Sequence, residues 1–328
     1  MRAPEFWDRD GLLPRLLAPA ALLYRFGGAL KAAAVTPWRA PVPVVCIGNL
    51  TLGGGGKTPT ALAVADRLLA RGRRVHFLIR GYGGRARGPL LVDPDRHDAG
   101  DVGDEALLLA RAAPTWVGGN RRRSAAAAAA AGAEILVMDD GFQNRSLVKD
   151  LSLVVIDLDG GLGNRRVFPA GPLREPVAEG LRRAQALVLI GSGETETATY
   201  SGGGLPVLRA RLVARSSAQA LRGRRVAAFA GIGRPKKFFE TLDEIGAIVV
   251  VRRAFPDHYR YTAEDIMAIC EEADAMNAEP VTTEKDYIRL DPNMRQMIRA
   301  AAISLVFDDP TRLDTLLDRL TPIKGDSV

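Results

Sequence analysis

Short apolar runs alternate with amphipathic stretches over the first two thirds of the chain. A short apolar run bounded by turn residues is typical of a buried strand, whereas a longer stretch with helical spacing is typical of a helix. The predicted strands are residues 43–47, 75–79, 135–138, 153–156 and 186–190, and the predicted helices are residues 57–71, 105–112 and 125–131. We expect Ser124 to cap the third of these helices. The alternation predicts an α/β fold with a doubly wound parallel sheet, which binds ligands at the carboxyl ends of its strands.

The last third of the chain shows the same alternation on a smaller scale. A glycine- and threonine-rich stretch, 191–204, precedes an alternating segment at 207–213 that predicts a half-exposed strand. Beyond it the predicted strands are 226–230, 248–251, 280–283 and 303–306, with helices at 235–245 and 263–276. We therefore expect a second, smaller α/β domain. The predicted units are an N-terminal segment (1–36), a larger domain (37–205), a β linker (206–222) and the smaller domain (223–328).

A glycine-rich turn, Gly53-Gly54-Gly55-Gly56-Lys57-Thr58-Pro59, joins the first predicted strand to the first predicted helix. In such a turn the backbone N–H groups converge on phosphates, the lysine adds a positive charge, and the threonine hydroxyl binds Mg²⁺. The turn is a P-loop variant, because Thr51 stands where the common pattern has its first glycine. A merely flexible turn is disfavoured because the run ends in Lys-Thr. The predicted nucleotide-binding residues are Thr51, Leu52, Gly53, Gly54, Gly55, Gly56, Lys57 and Thr58.

An acidic pair, Asp139-Asp140, ends the strand predicted at 135–138. This is the form of a Walker B site, in which one carboxylate holds Mg²⁺ directly or through water. Taken alone, an acidic pair at a strand end is often a helix cap or a turn. Because Lys57-Thr58 precedes it in the chain, metal binding is favoured, and the predicted metal-associated residues are Thr58, Asp139 and Asp140.

A phosphoryl-transfer enzyme also needs a group that accepts the proton of the acceptor hydroxyl. His258 lies on a predicted turn of the smaller domain and is the histidine best placed to reach across a cleft between domains. A lone histidine in a turn is more often a surface residue. Asp104 ends a long Gly-, Arg- and Asp-rich segment, 80–103, at the start of a predicted helix. It is the second candidate, and its structural alternative is to cap that helix.

Residues 11–35 form the most apolar terminus of the chain, although three basic residues interrupt them. Their longest charge-free piece, 16–24, is far shorter than the ~20 residues needed to cross a bilayer. Acidic residues near the N-terminus argue against a signal peptide. We expect a helix that lies in a membrane interface with its basic side chains at headgroup level. The alternative is a helix docked on its own domain.

The composition restricts the class of partner. The chain of 328 residues is 47% hydrophobic and carries a net charge of +7. These values indicate an ordered globular protein that favours anionic partners such as a nucleotide, a phospholipid surface or a phosphorylated substrate. Nucleic acid is not expected, because the arginines are dispersed and aromatic residues make up only 6%. No obligate protein partner is evident from the sequence.

Seven motifs, in order along about residues 12–310, resemble those of the tetraacyldisaccharide 4′-kinase (lipid A 4′-kinase) family. They are Gly48-Asn49-Leu50-Thr51-Leu52-Gly53-Gly54-Gly55-Gly56-Lys57-Thr58-Pro59, Arg80-Gly81-Tyr82-Gly83, Gly103-Asp104-Glu105, Asp139-Asp140-Gly141-Phe142-Gln143, Pro169-Ala170-Gly171-Pro172-Leu173-Arg174-Glu175-Pro176, Phe255-Pro256-Asp257-His258 and Thr283-Glu284-Lys285-Asp286. The resemblance also accounts for Thr51, since the family's loop lacks the first glycine. Two departures are Asn144, where the family usually has histidine, and Ile79, where serine is usual.

The resemblance implies a kinase that uses ATP and Mg²⁺ to phosphorylate the 4′-hydroxyl of a tetraacyl glucosamine disaccharide 1-phosphate in lipid A biosynthesis. It implies two α/β domains joined by a β linker, and an N-terminal helix on the cytoplasmic face of the inner membrane. Asp104 corresponds to the catalytic carboxylate and His258 to its partner, while Lys57 stabilises charge. The substrate-binding residues of the prediction are Arg80, Tyr82, Arg121, Gln143 and Arg174.

An alternative of a different class is a P-loop GTPase-like switch or metallochaperone that acts on a protein partner. It needs a guanine-specificity motif, and Thr283-Glu284-Lys285-Asp286 is only superficially similar to one. A third possibility, a membrane-docked scaffold with structural ATP, is disfavoured by the acid–base candidates.

Overall fold

The described strands lie in two separate sheets in a computed structural model of the chain. The structure describes residues 4–53, 55–191 and 204–320. Gly54 of the predicted P-loop, and most of the glycine- and threonine-rich stretch at 191–204, lie outside the described residues. In chain order the strands are β1 (Val44–Gly48), β2 (Val75–Ile79), β3 (Leu90–Leu91), β4 (Thr115–Val117), β5 (Ile135–Asp139), β6 (Leu151–Asp157), β7 (Ala186–Ile190), β8 (Val207–Ala214), β9 (Arg225–Ala230), β10 (Ile248–Ala254), β11 (Glu279–Thr283), β12 (Arg299–Ala301) and β13 (Ile303–Phe307).

Short helices connect these strands, after a 3₁₀ turn at Glu5–Trp7. In chain order the α-helices of the described residues are α1 (Leu12–Leu16), α2 (Ala18–Ala33), α3 (Lys57–Leu69), α4 (Ala99–Val102), α5 (Asp104–Ala110), α6 (Arg121–Ala130), α7 (Val177–Leu181), α8 (Ser216–Gln219), α9 (Pro235–Glu244), α10 (Ala263–Ala275), α11 (Glu284–Arg289), α12 (Pro292–Arg295) and α13 (Pro310–Leu317).

The larger sheet has the strand order β13-β8-β7-β6-β1-β5-β2-β4-β3. Its neighbouring strands are parallel except for the outer pairs, β3 with β4 and β8 with β13. One face packs against α3, α5 and α13, and the other against α6 and the segment 142–173. Because both faces are covered, the central strands are buried and mostly apolar along their length. The predicted doubly wound, mostly parallel sheet is confirmed.

The smaller sheet is fully parallel and has the strand order β10-β9-β11-β12. After β12 the chain returns to the larger sheet, where β13 pairs with β8 and α13 contacts α3 through Arg67, whose Nε donates to Asp314 Oδ1 at 3.0 Å. The strand predicted at 303–306 was expected in the smaller domain, and this part of the prediction is wrong, because β13 belongs to the larger sheet. A short apolar run predicts a strand, but it carries no information about which sheet the strand joins. The remaining domain boundaries stay predictions.

The N-terminal apolar segment forms two helices, α1 and α2, in place of the single predicted helix. We call the part built on the nine-stranded sheet the larger unit and the part built on the four-stranded sheet the smaller unit. Contacts that attach the N-terminal segment to the larger unit include those of Trp7, Tyr24 and Arg25. Trp7 Nε1 donates to Pro169 O at 3.1 Å, the Tyr24 ring packs on Phe168, and Arg25 pairs with Glu179 at 2.9 Å. Most of its large apolar side chains face outward: Leu12, Leu13, Leu16, Leu22, Leu23, Phe26 and Leu30 are exposed. No helix within residues 4–53, 55–191 and 204–320 is long and apolar enough to cross a membrane.

One predicted helix cap is wrong. Helix α6 begins at Arg121, four residues earlier than predicted, and its N-cap is Asn120, whose side chain accepts the N–H of Arg123 at 3.2 Å. Ser124, the predicted cap, is buried inside the helix and donates its hydroxyl to Asn120 O. Serine and asparagine both cap helices well. The position of the cap is set by the three arginines before the alanine run, which are good helix formers and make up the first turn of α6.

Candidate active site

The P-loop runs from the end of β1 to the start of α3. Asn49, buried beneath the loop, donates its side-chain N–H to Gly53 O at 2.7 Å, and Lys57 Nζ reaches the same carbonyl at 3.1 Å. Gly56 has a φ of 92°, and a Cβ there would lie 2.3 Å from the Ile190 side chain. Only glycine fits this position. These contacts hold the described residues of the loop in place, and Lys57 and the start of α3 line one cleft.

Thr58 and Asp139 form a buried pair directly behind the P-loop. Thr58 Oγ1 donates to Asp139 Oδ2 at 2.8 Å, and Asp139 is 1% exposed. Among the residues that the structure describes, Asp139 Oδ1 has no hydrogen-bond partner. Burial raises the pKa of Asp139 to about 7, and the charge of Glu105 adds to this, while the Thr58 hydroxyl opposes it. A buried carboxylate with a free oxygen beside a threonine hydroxyl fits Mg²⁺, which prefers oxygen ligands.

Asp140, the second member of the acidic pair, has different contacts. Its φ of 49° turns it toward Arg174, which donates from Nη1 and Nη2 to the two carboxylate oxygens at 2.9 and 3.1 Å. Lys57 Nζ lies 3.8 Å from Asp140 Oδ2. Burial alone would raise the pKa of Asp140, but the charges of Lys57 and Arg174 outweigh it and hold the pKa below its usual range. Asp140 therefore fixes two cations at the P-loop, Lys57 of the loop itself and Arg174 beside it.

Arg174 and Gln143, both predicted to bind substrate, contact the P-loop in this structure. Arg174 Nε donates to Thr51 O at 2.9 Å, and Gln143 Nε2 donates to Asn49 O at 2.8 Å. Their substrate role stays a prediction. The geometry shows both side chains supporting the start of the P-loop through hydrogen bonds to its backbone carbonyls.

Asp104 and His258 meet across the cleft although 154 positions separate them. Asp104, 4% exposed, is the first residue of α5, and its Oδ2 lies 3.1 Å from His258 Nδ1. The N-cap of α5 is Gly103, so the alternative that Asp104 caps this helix is wrong. Its Oδ1 accepts the adjacent N–H of Glu105 at 2.8 Å. Half-buried His258 has a φ of 58°, which aims its ring at the larger unit.

Two cations that the sequence analysis missed complete this cluster. Arg289 donates from Nε to Asp104 Oδ2 at 2.7 Å, and Lys285 Nζ pairs with Glu105 at 3.1 Å. Both lie on α11, which begins directly after Thr283. The family motif Thr283-Glu284-Lys285-Asp286 contains Lys285, but no role was predicted for it, and Arg289 lies outside the motif.

Arg80, Tyr82 and Arg121 line the same cleft on the larger unit. Arg121 is buried, and within the described part of the chain its Nε has no hydrogen-bond partner. Burial lowers the pKa of Arg121 to about 10, and the charge of Arg80 contributes. Exposed Tyr82 has its ring centroid 5.7 Å from that of His258. An under-coordinated buried guanidinium beside a second arginine favours an anion.

The cleft has a volume of about 3260 Å³, several times that of a site for one small ligand. Its walls include the P-loop, His258, Arg121 and the apolar side chains Leu22, Leu23 and Phe26 of α2. One site therefore combines a phosphate-binding loop, an acid–base pair and an apolar margin. Fold and site together define a two-unit P-loop phosphotransferase with a bulky, partly apolar acceptor.

Comparisons with known proteins give the family. The family model described as tetraacyldisaccharide-1-P 4′-kinase matches residues 13–321. Tetraacyldisaccharide 4′-kinase of Rhodospirillum centenum is 52% identical over 99% of this chain and 98% of its own. The enzyme of Gluconacetobacter diazotrophicus is 54% identical over 97% and 98%. The crystal structure of LpxK from Aquifex aeolicus in complex with ATP has a TM-score of 0.75 at 28% identity and covers 94% of this chain and 99% of its own.

The chain belongs to the tetraacyldisaccharide 4′-kinase family. It is a phosphotransferase of lipid A biosynthesis that phosphorylates the 4′-hydroxyl of a tetraacyl disaccharide 1-phosphate. The predicted family and function are confirmed, and the GTPase-like switch is not.

Proposed function

We propose that this chain transfers the γ-phosphoryl group of ATP to its lipid acceptor in the cleft between the two units, and that each site residue has the role argued below. The observation that carries the proposal is that the P-loop, the Thr58–Asp139 pair and His258 line a single cleft, while buried Asp104 contacts His258 from outside the cleft lining. Phosphoryl transfer is mainly a matter of positioning and charge stabilisation, so convergence on one site is the essential requirement.

Lys57 and the backbone N–H groups of the loop bind the β- and γ-phosphates and offset the charge that develops during transfer. Thr58 and Asp139 would hold Mg²⁺, which neutralises phosphate charge when bound. Asp140 acts indirectly, because it holds Lys57 and Arg174 in position. Within the described ranges no group of three or more His, Cys, Asp or Glu side chains is arranged to hold a metal ion. Phosphate and water oxygens are therefore needed as further ligands.

His258 accepts the proton of the 4′-hydroxyl, and Asp104 orients it. Asp104 has both carboxylate oxygens engaged, one by Glu105 N–H and the other by His258 and Arg289. With Nδ1–H directed at Asp104, the lone pair of the imidazole is on Nε2, the nitrogen that can face the hydroxyl. In serine proteases, likewise, a buried aspartate orients the histidine that acts as the base.

Arg121, Arg80 and Tyr82 bind the acceptor. The buried and under-coordinated Arg121 is suited to a phosphate group, because a guanidinium pairs with phosphate in a fixed geometry. Tyr82, exposed beside His258, offers an aromatic face to a sugar ring.

The apolar N-terminal helices bring the enzyme to the cytoplasmic face of the inner membrane as a peripheral protein. Seven outward apolar side chains on α1 and α2 supply the insertion energy, and Arg15 and Lys31 favour anionic headgroups. Since Leu22, Leu23 and Phe26 also line the cleft, the acyl chains of an acceptor can stay close to the bilayer while its sugar enters the site.

The test is a transfer assay on vesicles that contain the tetraacyl disaccharide 1-phosphate. Radiolabelled ATP should give a labelled lipid product, GTP much less, and an acceptor with a blocked 4′-hydroxyl none. Lys57→Ala serves as the inactive control. ATP hydrolysis without labelled lipid, or equal use of GTP, would overturn the assignment of donor and acceptor.

A further inference from the structure

Arg289 bridges the two units of the molecule at the centre of the site. It lies at the end of α11 in the smaller unit, and its side chain is 5% exposed. Nε and Nη2 both donate to Asp104 Oδ2 of the larger unit, Nε at 2.7 Å. Nη1 points the other way and donates to Gly231 O and Asp286 Oδ1, each at 2.8 Å. One planar guanidinium thus uses its donors in two opposite directions.

The smaller unit holds this guanidinium firmly from behind. Asp286 is fully buried, and besides Arg289 it accepts hydrogen bonds from Thr283 Oγ1 at 2.7 Å, Tyr261 Oη at 3.1 Å and Gly231 N at 3.1 Å. The rigid fork of an arginine keeps its geometry when one side is clamped in this way. The orientation of Arg289 is therefore set by the smaller unit, and Asp104 receives an already aligned partner.

Asp104 depends on that partner because a buried carboxylate is costly unless it is paired. His258, Lys285 and Arg289 of the smaller unit face it, and Lys285 Nζ is 4.0 Å from Oδ2. Glu105 lies beside it in α5, and Asp257 lies beside His258. Burial would raise the pKa of Asp104, but the His258 hydrogen bond and the charges of Lys285 and Arg289 outweigh it and hold the pKa well below its usual range.

We propose that Arg289 is a positioning residue for phosphoryl transfer, which keeps Asp104 ionised and aimed at His258 only while the smaller unit is seated against the larger one. This inference rests on the roles proposed above for Asp104 and His258. Proton acceptance is then linked to domain contact, because separating the units removes Arg289, Lys285 and His258 from Asp104 together. A substrate that binds both units would therefore also keep Asp104 in contact with Arg289 and His258.

The experiment compares Arg289→Gln and Arg289→Lys with the wild type and with Arg295→Gln. Arg295 is a matched control, since it also binds backbone carbonyls of this region, Ile288 O and Leu290 O, but does not reach Asp104. kcat and KM for ATP and for the lipid acceptor are measured from acid to alkaline pH, alongside the melting temperature. Arg289→Gln should lower kcat by roughly 10²-fold, the usual effect of a misplaced catalytic group, with KM for ATP unchanged.

The pH profile separates positioning from mere structural support. Without Arg289, burial should raise the pKa of Asp104, so activity that needs the ionised carboxylate should be lost at a higher pH than in the wild type. Arg289→Lys keeps the charge and should restore part of the rate and the wild-type acid limb. In an Asp104→Asn background, Arg289→Gln should cost little more, because its target has already been removed.

An unshifted acid limb in Arg289→Gln, with a loss of rate no larger than that of Arg295→Gln, would overturn the inference. If Arg289→Gln does not fold, Asp286→Asn tests the same clamp, and a wild-type pH profile there would also overturn it. Failure of the proposed function has a different signature, since the wild type itself would then transfer no phosphoryl group to the lipid.

Discussion

At the residue scale, the site contains buried polar side-chain atoms that have no hydrogen-bond partner among the described residues. These atoms include Asp139 Oδ1 and Arg121 Nε. Such groups are costly in a folded protein, so their retention points to a ligand that satisfies them. A sequence can propose Thr58 and Asp139 together, because both follow strands of one parallel sheet and so lie at the same edge. It does not reveal Arg289, which meets Asp104 only through the packing of two units.

Lys57→Ala and Thr58→Ala should each abolish most turnover. Either change removes preorganised charge or an oxygen ligand from the phosphate site, a loss of roughly 10²–10³ in kcat. Thr58→Ser keeps the hydroxyl that bonds Asp139 and should retain much of the rate. Steady-state kinetics with lipid acceptor measure all three variants, and wild-type kcat in Thr58→Ala would remove the hydroxyl from the mechanism.

Asp104→Asn should lower kcat by roughly 10²–10⁴, the usual span for an acid–base group, because the neutral amide forms no ion pair with Arg289 and does not stabilise the imidazolium that forms on His258. Combined with His258→Ala, it should lose less than the product of the two single effects, since the pair acts as a unit. Asp101→Asn is the control, as Asp101 lies three residues earlier in an exposed capping box. A nearly silent Asp104→Asn would show that His258 acts without help from the Asp104 carboxylate.

At the scale of elements, predicted strands were most accurate where the apolar run was long and buried on both faces. The strands predicted at 75–79 and 186–190 coincide with β2 and β7. The short strands β3 and β4 were missed, because two or three residues show no periodicity. The N-terminal region was predicted as one helix, yet Leu17 divides it into α1 and α2.

Replacing Leu16, Leu22, Leu23 and Phe26 by serine should release the protein from lipid vesicles and leave the rest of the fold intact. These side chains are exposed, Leu23 at 73%, so they contribute little to the core and are free to insert into a membrane as proposed above. Vesicle sedimentation measures the binding, and the melting temperature measures folding. Met267→Ser, an exposed apolar residue of α10, is the control. If the fourfold variant still sediments with vesicles, the membrane contact lies elsewhere.

At the scale of the whole molecule, the two units touch at a second place beside the P-loop. Arg234, the N-cap of α9, lies with Nη1 2.8 Å from Asp157 Oδ2. Lys237, within α9, lies with Nζ 3.4 Å from Asp157 Oδ1. Asp157 itself lies next to Gly55 of the P-loop. The carboxylate is thus neutralised by the smaller unit close to where phosphates bind. Sequence alone gives no hint of this, because neither residue belongs to a recognisable motif.

Arg234→Gln should weaken ATP binding by roughly tenfold, about 1.4 kcal/mol, since it leaves the Asp157 charge less compensated beside an anion. Asp157→Asn in the same chain should restore the affinity. Calorimetric titration with ATP measures both. Arg252→Gln, which breaks an exposed ion pair with Asp243 in the smaller unit, should have no effect. Equal affinities for Arg234→Gln and the wild type would show that Asp157 does not sense the phosphates.

The return of β13 to the larger sheet limits how the molecule can open. The chain leaves for the smaller unit at Ala214 and comes back at Ile303, and these two residues are direct partners in an antiparallel pair. Arg215 N and Ala302 O, 2.9 Å apart, bind the two crossings together just beyond it. The smaller unit is thus joined to the larger one through two adjoining crossings of the chain. Any separation of the units about this junction would break the contacts at Asp104 and at Asp157 together, because both are made by residues of the smaller unit.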